Sequence, residues 1–222
     1  ARTVEQDRPI HSLHAYFLRP GDPKTPAIFD VERIRDGKSF ATRRIVVIQN
    51  GQAIFNMDAS FQVVEQGLEH ALPMKPLTPP NMSDIPKELL GSPFISFRED
   101  HKRLLEERPQ PAMQDTWLRA NGTVPDDPVL HTALLAYESD STLLGTARLP
   151  HRGSFKRERM QMASLDHALW FHRPIRVDDW LLYSVDSPAS SHSRGFTRGS
   201  IYAADGTLMA SCMQEGLMRL WR

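Results

Sequence analysis

The chain has 222 residues, long enough for one large domain or two small ones with a sizeable core, and 27 Lys plus Arg balance 27 Asp plus Glu. That balance gives no electrostatic footprint for nucleic acid. The lone Cys212 excludes an internal disulfide framework and a Cys-rich zinc site. No run of about 18 apolar residues offers a membrane span, and Ala1–Arg8 is not a signal peptide, so a reducing interior compartment is the default expectation.

In chain order, residues 11–18, 27–34, 40–48 and 53–64 read as an antiparallel meander, with Asn50-Gly51 as a type I′ hairpin turn between the last two. From about Glu65 to Gln114 the chain holds eight prolines, too many for a core helix or a central strand. This predicts a linker, with one short helix at about residues 98–107. A strand over 114–120 closes at Asn121-Gly122, and Pro125-Asp126-Asp127-Pro128 opens a helix from about Val129 to Leu144. Acids and proline both suit the first turn of a helix. Leu130, Leu134, Tyr137, Ser141 and Leu144 recur at helical spacing and are the expected apolar stripe. After a basic loop, Ser164–Pro174 reads as one long buried strand, followed by strands at 180–185, 196–202 and 207–220.

The long strand has an echo. Ile10–Pro20 matches it when Pro20 is laid on Pro174, 154 positions later: Tyr16 meets Trp170, Phe17 meets Phe171 and Arg19 meets Arg173. At an offset of 155, Asn50-Gly51 meets Asp205-Gly206, which reads as a second type I′ turn. The pattern predicts a duplicated unit: residues 1–66, a proline-rich linker over 67–113, and a second unit over 114–222. The second is a strand, a long helix and a four-stranded meander. A sheet curled round one helix is the hotdog arrangement, so the fold expected is α+β, a double hotdog. The first unit has no helix before its meander, which predicts an open apolar concavity and a chain that begins just after the missing helix.

Three polar residues of the second unit stand out. Asp140 flanks the helix stripe beside Ala133 and Ala136, in the half of the helix where a negative charge opposes the dipole; it could equally be a solvated acid. Gln214 shares its strand face with Ala210, Cys212, Gly216 and Met218, so its amide must find partners; a plain core glutamine is the alternative. Ser164 shares a face with Met160, Met162, Asp166 and Trp170. Asp166 and His167 are adjacent, hence on opposite faces, which makes His167 a hydrogen-bonded core residue rather than one half of an acid–base pair. No Gly-x-Ser-x-Gly elbow, phosphate loop, dinucleotide fingerprint or metal-ligand spacing appears. What remains is a carboxylate, a hydroxyl and an amide able to hold one water, Asp140 as base or orienter.

The segments His11–Asp22, Ser164–Pro174, Trp180–Tyr183, Ser193–Gly195 and Gln214–Gly216 resemble the acyl-CoA thioesterase II family of double-hotdog thioesterases. The resemblance implies hydrolysis of fatty acyl-CoA to free acid and coenzyme A, without metal, cofactor or covalent intermediate. It also implies an Asp, Ser/Thr and Gln triad, carried by Asp140, Ser164 and Gln214. The loop from Pro150 to Arg159 supplies Arg152, Lys156, Arg157 and Arg159, four cations for coenzyme A phosphates or a plain solvated loop. A non-catalytic acyl-CoA-binding protein is the alternative function. An enoyl-CoA hydratase is a weaker one, because no His stands five residues after Asp22. The doubly apolar strand predicts a homo-oligomer, and the family suggests bacterial cytoplasm, or the peroxisome, although Leu220-Trp221-Arg222 is not a peroxisomal tripeptide.

Overall fold

The computed structural model describes residues 1, 3–98, 100, 102 and 106–221, with the side chain of Arg157 left out. Of the helix expected at 98–107, residues 99, 101 and 103–105 lie outside the described residues.

Among the described residues, alternating inward and outward side chains build one antiparallel sheet of eleven strands. Four belong to the first half: β1 (Ile10–Phe17), β2 (Ile28–Asp36), β3 (Phe40–Gln49) and β4 (Gln52–Gln62). β2-β3-β4 is a meander, but β1 pairs with β4 rather than with β2, so the four-strand meander expected from the sequence is corrected to three strands plus one that returns beside the last. Two follow the proline-rich stretch, β5 (Phe94–Phe97) and β6 (Met113–Ala120). The last five are β7 (Met160–Ser164), β8 (Asp166–Phe171), β9 (Leu181–Ser191), β10 (Arg194–Ala203) and β11 (Leu208–Leu220). The order is β2-β3-β4-β1-β8-β11-β10-β9-β6-β5, with β7 also on β11. β5 lies inside the stretch read as linker and pairs as the last strand of the path, an edge position that suits a proline-rich neighbourhood.

The echo in the sequence is a two-fold relation in the sheet. From the centre outward, β1-β4-β3-β2 repeats as β8-β11-β10-β9. β1 and β8 pair antiparallel with His14 opposite Ala168, and those two residues are themselves 154 apart. Ser12 faces Trp170 while Tyr16 faces Asp166, the same pair seen from the other half. The turns differ in detail. Asn50 and Gly51 both have positive φ, as a type I′ turn requires. In the second hairpin only Gly206 does, and its N–H bonds the carbonyl of Ala203, so Asp205-Gly206 is not the expected I′ turn. Asp205 instead uses its carboxylate to accept from the N–H of Thr207.

The central helix is shorter than the apolar run suggested. α1 (Pro128–Ser139) starts with Asp127 accepting from the N–H groups of Val129 and Leu130, and Pro128 fills the first turn. It stops at Asp140, and α2 (Leu143–Arg148) follows after a break. The buried face is also one residue round from the expected stripe. His131, Leu135, Glu138 and Ser139 are buried, while Tyr137 is 72 % exposed. The buried polar side chains of the helix find partners at most of their atoms: His131 Nδ1 accepts from the N–H of Val177, although its Nε2 has none among the described residues, and Glu138 accepts from Ser96 and Ser141.

The main core lies between α1, α2 and the second half-sheet, where Leu135, Leu143, Leu169, Tyr183, Ile201 and Cys212 pack together. On β11 the inward residues are Ala210, Cys212, Gln214, Gly216 and Met218, the face read from the sequence. The corresponding face of the first half has no described helix over it. Phe29, Val47, Phe55 and Phe17 lie in one cross-strand row, and Phe29 is 67 % exposed. This is the double-hotdog architecture. Among the described residues no helix is long and apolar enough to cross a membrane.

Candidate active site

The strand read as continuous from Ser164 is interrupted at Leu165, and the interruption builds the site. Ser164 faces Gly216 on β11, but Ala168 faces Met213, so β7 and β8 carry one extra residue between them. Such a bulge reverses the inward–outward alternation. Ser164 and His167 therefore both reach the inner face, and Ser164 does not share a face with Asp166 and Trp170 as simple alternation predicted. The N–H of Glu215 at the bulge is taken by the carboxylate of Asp166 at 2.6 Å. Asp166 thus serves the backbone.

The break after α1 supplies the acid. Asp140 is the C-cap residue of α1 rather than a mid-helix position. The residues on either side are pinned. The hydroxyl of Tyr183 donates to the Ser139 carbonyl at 2.6 Å, and Gln114 Nε2 donates to the Thr142 carbonyl at 3.0 Å. Burial pushes the Tyr183 phenol well above its ordinary pKa, with Cys212 adding to the shift, so it stays a donor. Gly216 lets α2 approach. A side chain there would put Cβ 2.5 Å from Leu144 Cδ1.

Asp140, Ser164 and Gln214 come from a helix end, a bulge and a mid-strand position, and they meet. The Ser164 hydroxyl donates to Asp140 Oδ1 at 3.0 Å, and Gln214 Nε2 donates to Ser164 Oγ at 2.8 Å. The array continues inward. His167 Nδ1 lies 2.8 Å from Gln214 Oε1, and His167 Nε2 lies 2.9 Å from Ser139 Oγ. Gln214 is 1 % exposed and His167 5 %, whereas Asp140 and Ser164 are half-buried and form the open end. A carboxylate at the solvent end of a buried hydrogen-bond chain can accept a proton from a bound water.

Of the residues assigned to coenzyme A phosphates, Lys156 and Arg159 are exposed. Arg152 is half-buried, with Nη1 3.5 Å from the Glu106 carbonyl. The side chain of Arg157 lies outside those described. Cys212 is buried, and burial pushes its thiol up to about 12, which leaves no nucleophilic thiolate. Sequence reasoning missed Ser139, Tyr183 and Gln114. A serine, a tyrosine and a glutamine on three separate elements carry no local signal that they converge.

The fold and this polar array define a class first, a double-hotdog protein with a partly open hydrogen-bonded acid, alcohol and amide. The sequence then narrows it. The family described as Acyl-CoA thioesterase matches residues 98–217, and its N-terminal domain matches residues 1–62. Acyl-coenzyme A thioesterase 8 of Mus musculus is 37 % identical over 99 % of this chain and 76 % of its own length. Acyl-CoA thioesterase 2 of Haemophilus influenzae is 36 % identical over 98 % of this chain and 82 % of its own. The crystal structure of an acyl-CoA thioesterase II from Mycobacterium marinum superposes with a TM-score of 0.86 at 45 % identity, covering 99 % of this chain and 84 % of that one. A hot dog fold protein from Alicyclobacillus acidocaldarius shares the fold at 19 % identity and a TM-score of 0.75. The chain belongs to the acyl-CoA thioesterase II family, and with it to the thioester hydrolases.

Proposed function

We propose that this protein hydrolyses fatty acyl-CoA to the free acid and coenzyme A, with Asp140, Ser164 and Gln214 as its catalytic residues and residues 114–222 as the catalytic half. The observation that carries the reading is the unbroken hydrogen-bond chain from Asp140 through Ser164 to Gln214. Asp140 accepts a proton from a water as the water oxygen attacks the thioester carbonyl carbon. Ser164 holds the carboxylate in one orientation through its hydroxyl hydrogen, and the second N–H of the Gln214 amide is a donor for the water or for the developing oxyanion. The carbon–sulfur bond breaks, and coenzyme A leaves as a thiolate that takes up the proton from Asp140. Holding the water at the carbonyl removes much of the barrier without a covalent intermediate. Lys156, Arg159 and Arg152 on the basic loop, with Arg157 beside them, are the cations we assign to the coenzyme A phosphates.

The test is thiol release from decanoyl-CoA. Asp140→Asn keeps an acceptor for Ser164 but removes the base, and is expected to lower kcat by about 100- to 10,000-fold, the usual worth of a general base, with an unchanged melting temperature. A folded variant with the parent rate removes the site. Binding of acyl-CoA without turnover by the parent protein would favour the carrier reading instead.

A further inference from the structure

We propose that His167 is a positioning residue that sets the direction of the Gln214 amide; the inference rests on the water-activating role given to Asp140, Ser164 and Gln214. The Asp140 carboxylate only accepts, so the single hydroxyl hydrogen of Ser164 is committed to it at 3.0 Å. Ser164 Oγ must then accept from its other neighbour 2.8 Å away, which requires the NH2 end of the Gln214 amide there. The carbonyl end, Oε1, is left facing His167 Nδ1 at 2.8 Å. A carbonyl only accepts, so Nδ1 carries a proton.

The alternative amide direction fails at Ser164, where the carbonyl would compete with Asp140 for the one hydroxyl hydrogen. It would also turn the NH2 group toward Nδ1 and require the opposite ring tautomer, protonated on Nε2. The far side of the ring is consistent with the same assignment. Nε2 lies 2.9 Å from Ser139 Oγ, which lies 2.9 Å from the Ala136 carbonyl. In a neutral ring Nε2 accepts the Ser139 hydrogen. In a charged ring Nε2 donates, and Ser139 passes its hydrogen to Ala136. Both states keep the proton on Nδ1, and only the neutral ring protonated on Nε2 is excluded. Because His167, Gln214 and Ser139 are all buried, no solvent is at hand to substitute for a missing partner. Ser139 directly precedes Asp140, so one ring ties the position of the acid to the direction of the amide.

Two variants and one spectrum test this. His167→Leu fills the space without a donor, and is expected to lower kcat on decanoyl-CoA by about 100-fold, the cost of a misplaced catalytic group, with KM nearly unchanged. His167→Asn places an amide N–H close to the position of Nδ1 and is expected to recover most of that loss. In the parent protein, imidazole 15N shifts should report Nδ1 protonated across the pH range of activity. The inference is overturned by a folded His167→Leu variant with the parent kcat, by His167→Asn folding yet remaining as slow as His167→Leu, or by a neutral ring protonated on Nε2. If His167→Leu does not fold, the spectrum of the parent protein decides alone. Failure of the underlying site is distinguishable, because there Asp140→Asn would itself be fully active.

Discussion

At Cys212 the thiol lies 3.0 Å from the Tyr183 hydroxyl, deep in the core beside the proposed site. Burial opposes its ionisation, so its thiolate fraction is negligible at pH 8 and grows tenfold per unit only until about 12. Iodoacetamide at pH 8 is therefore expected to leave hydrolysis intact in the folded protein and to alkylate the same cysteine once it is unfolded; rapid loss of activity would overturn this. Asp140 and Gln214 stood out as candidates one residue at a time, because each breaks a local rule: an acid read in the later half of an apolar helix and an amide on a buried strand face. Ser139 breaks no such rule. A serine near a helix end is ordinary in sequence, and only its neighbours show both its carbonyl and its hydroxyl to be in use.

Among the elements, α2 sits on the sheet through close approaches at two glycines, Gly195 on β10, where a Cβ would lie 2.5 Å from Ala147 Cβ, and Gly216 on β11. The Cβ of any residue replacing Gly216 would lie 2.5, 2.6 and 3.0 Å from three atoms of Leu144. Gly216→Ala is expected to destabilise by about 1–3 kcal/mol, the usual cost of overpacking. Adding Leu144→Ala should cost less than it does in the parent, because the second change removes the clash. Additive losses in urea unfolding would rule this contact out. The strand elements were largely legible, since alternation and turn residues are local; β10 buries Gly195, Thr197, Gly199 and Ile201 in strict alternation. The bulge at Leu165 was not, because nothing in Ala163-Ser164-Leu165-Asp166 announces an extra residue. The helix break was hidden by the apolar residues on both sides of it, Leu134 and Leu135 before and Leu143 and Leu144 after.

For the whole molecule, a single sheet joins both halves through β1 and β8, and its edge and its centre are held unequally. All nine residues of β2 are exposed, and among the described residues it pairs only with β3, whereas β8 is held by β1 and β11 on either side. Local opening follows the number of neighbours and the depth of burial. Hydrogen exchange is expected to release β2 amides early and those of β8 and β11 last; protection of β2 equal to β8 would contradict it.

The antiparallel hotdog class was already decided by the order of the amino acids, and the same order carried the echo between the halves and singled out three polar residues as candidates. A hairpin turn, a period-two pattern and an out-of-place polar side chain are each properties of a few neighbours. Folding alone decided that β1 and β8 meet with His14 opposite Ala168, and that one extra residue at Leu165 turns Ser164 inward. It also decided that a helix ending at Ser139 brings Asp140 to Ser164. Register and chain breaks are settled by partners far away in sequence, where no local pattern records them.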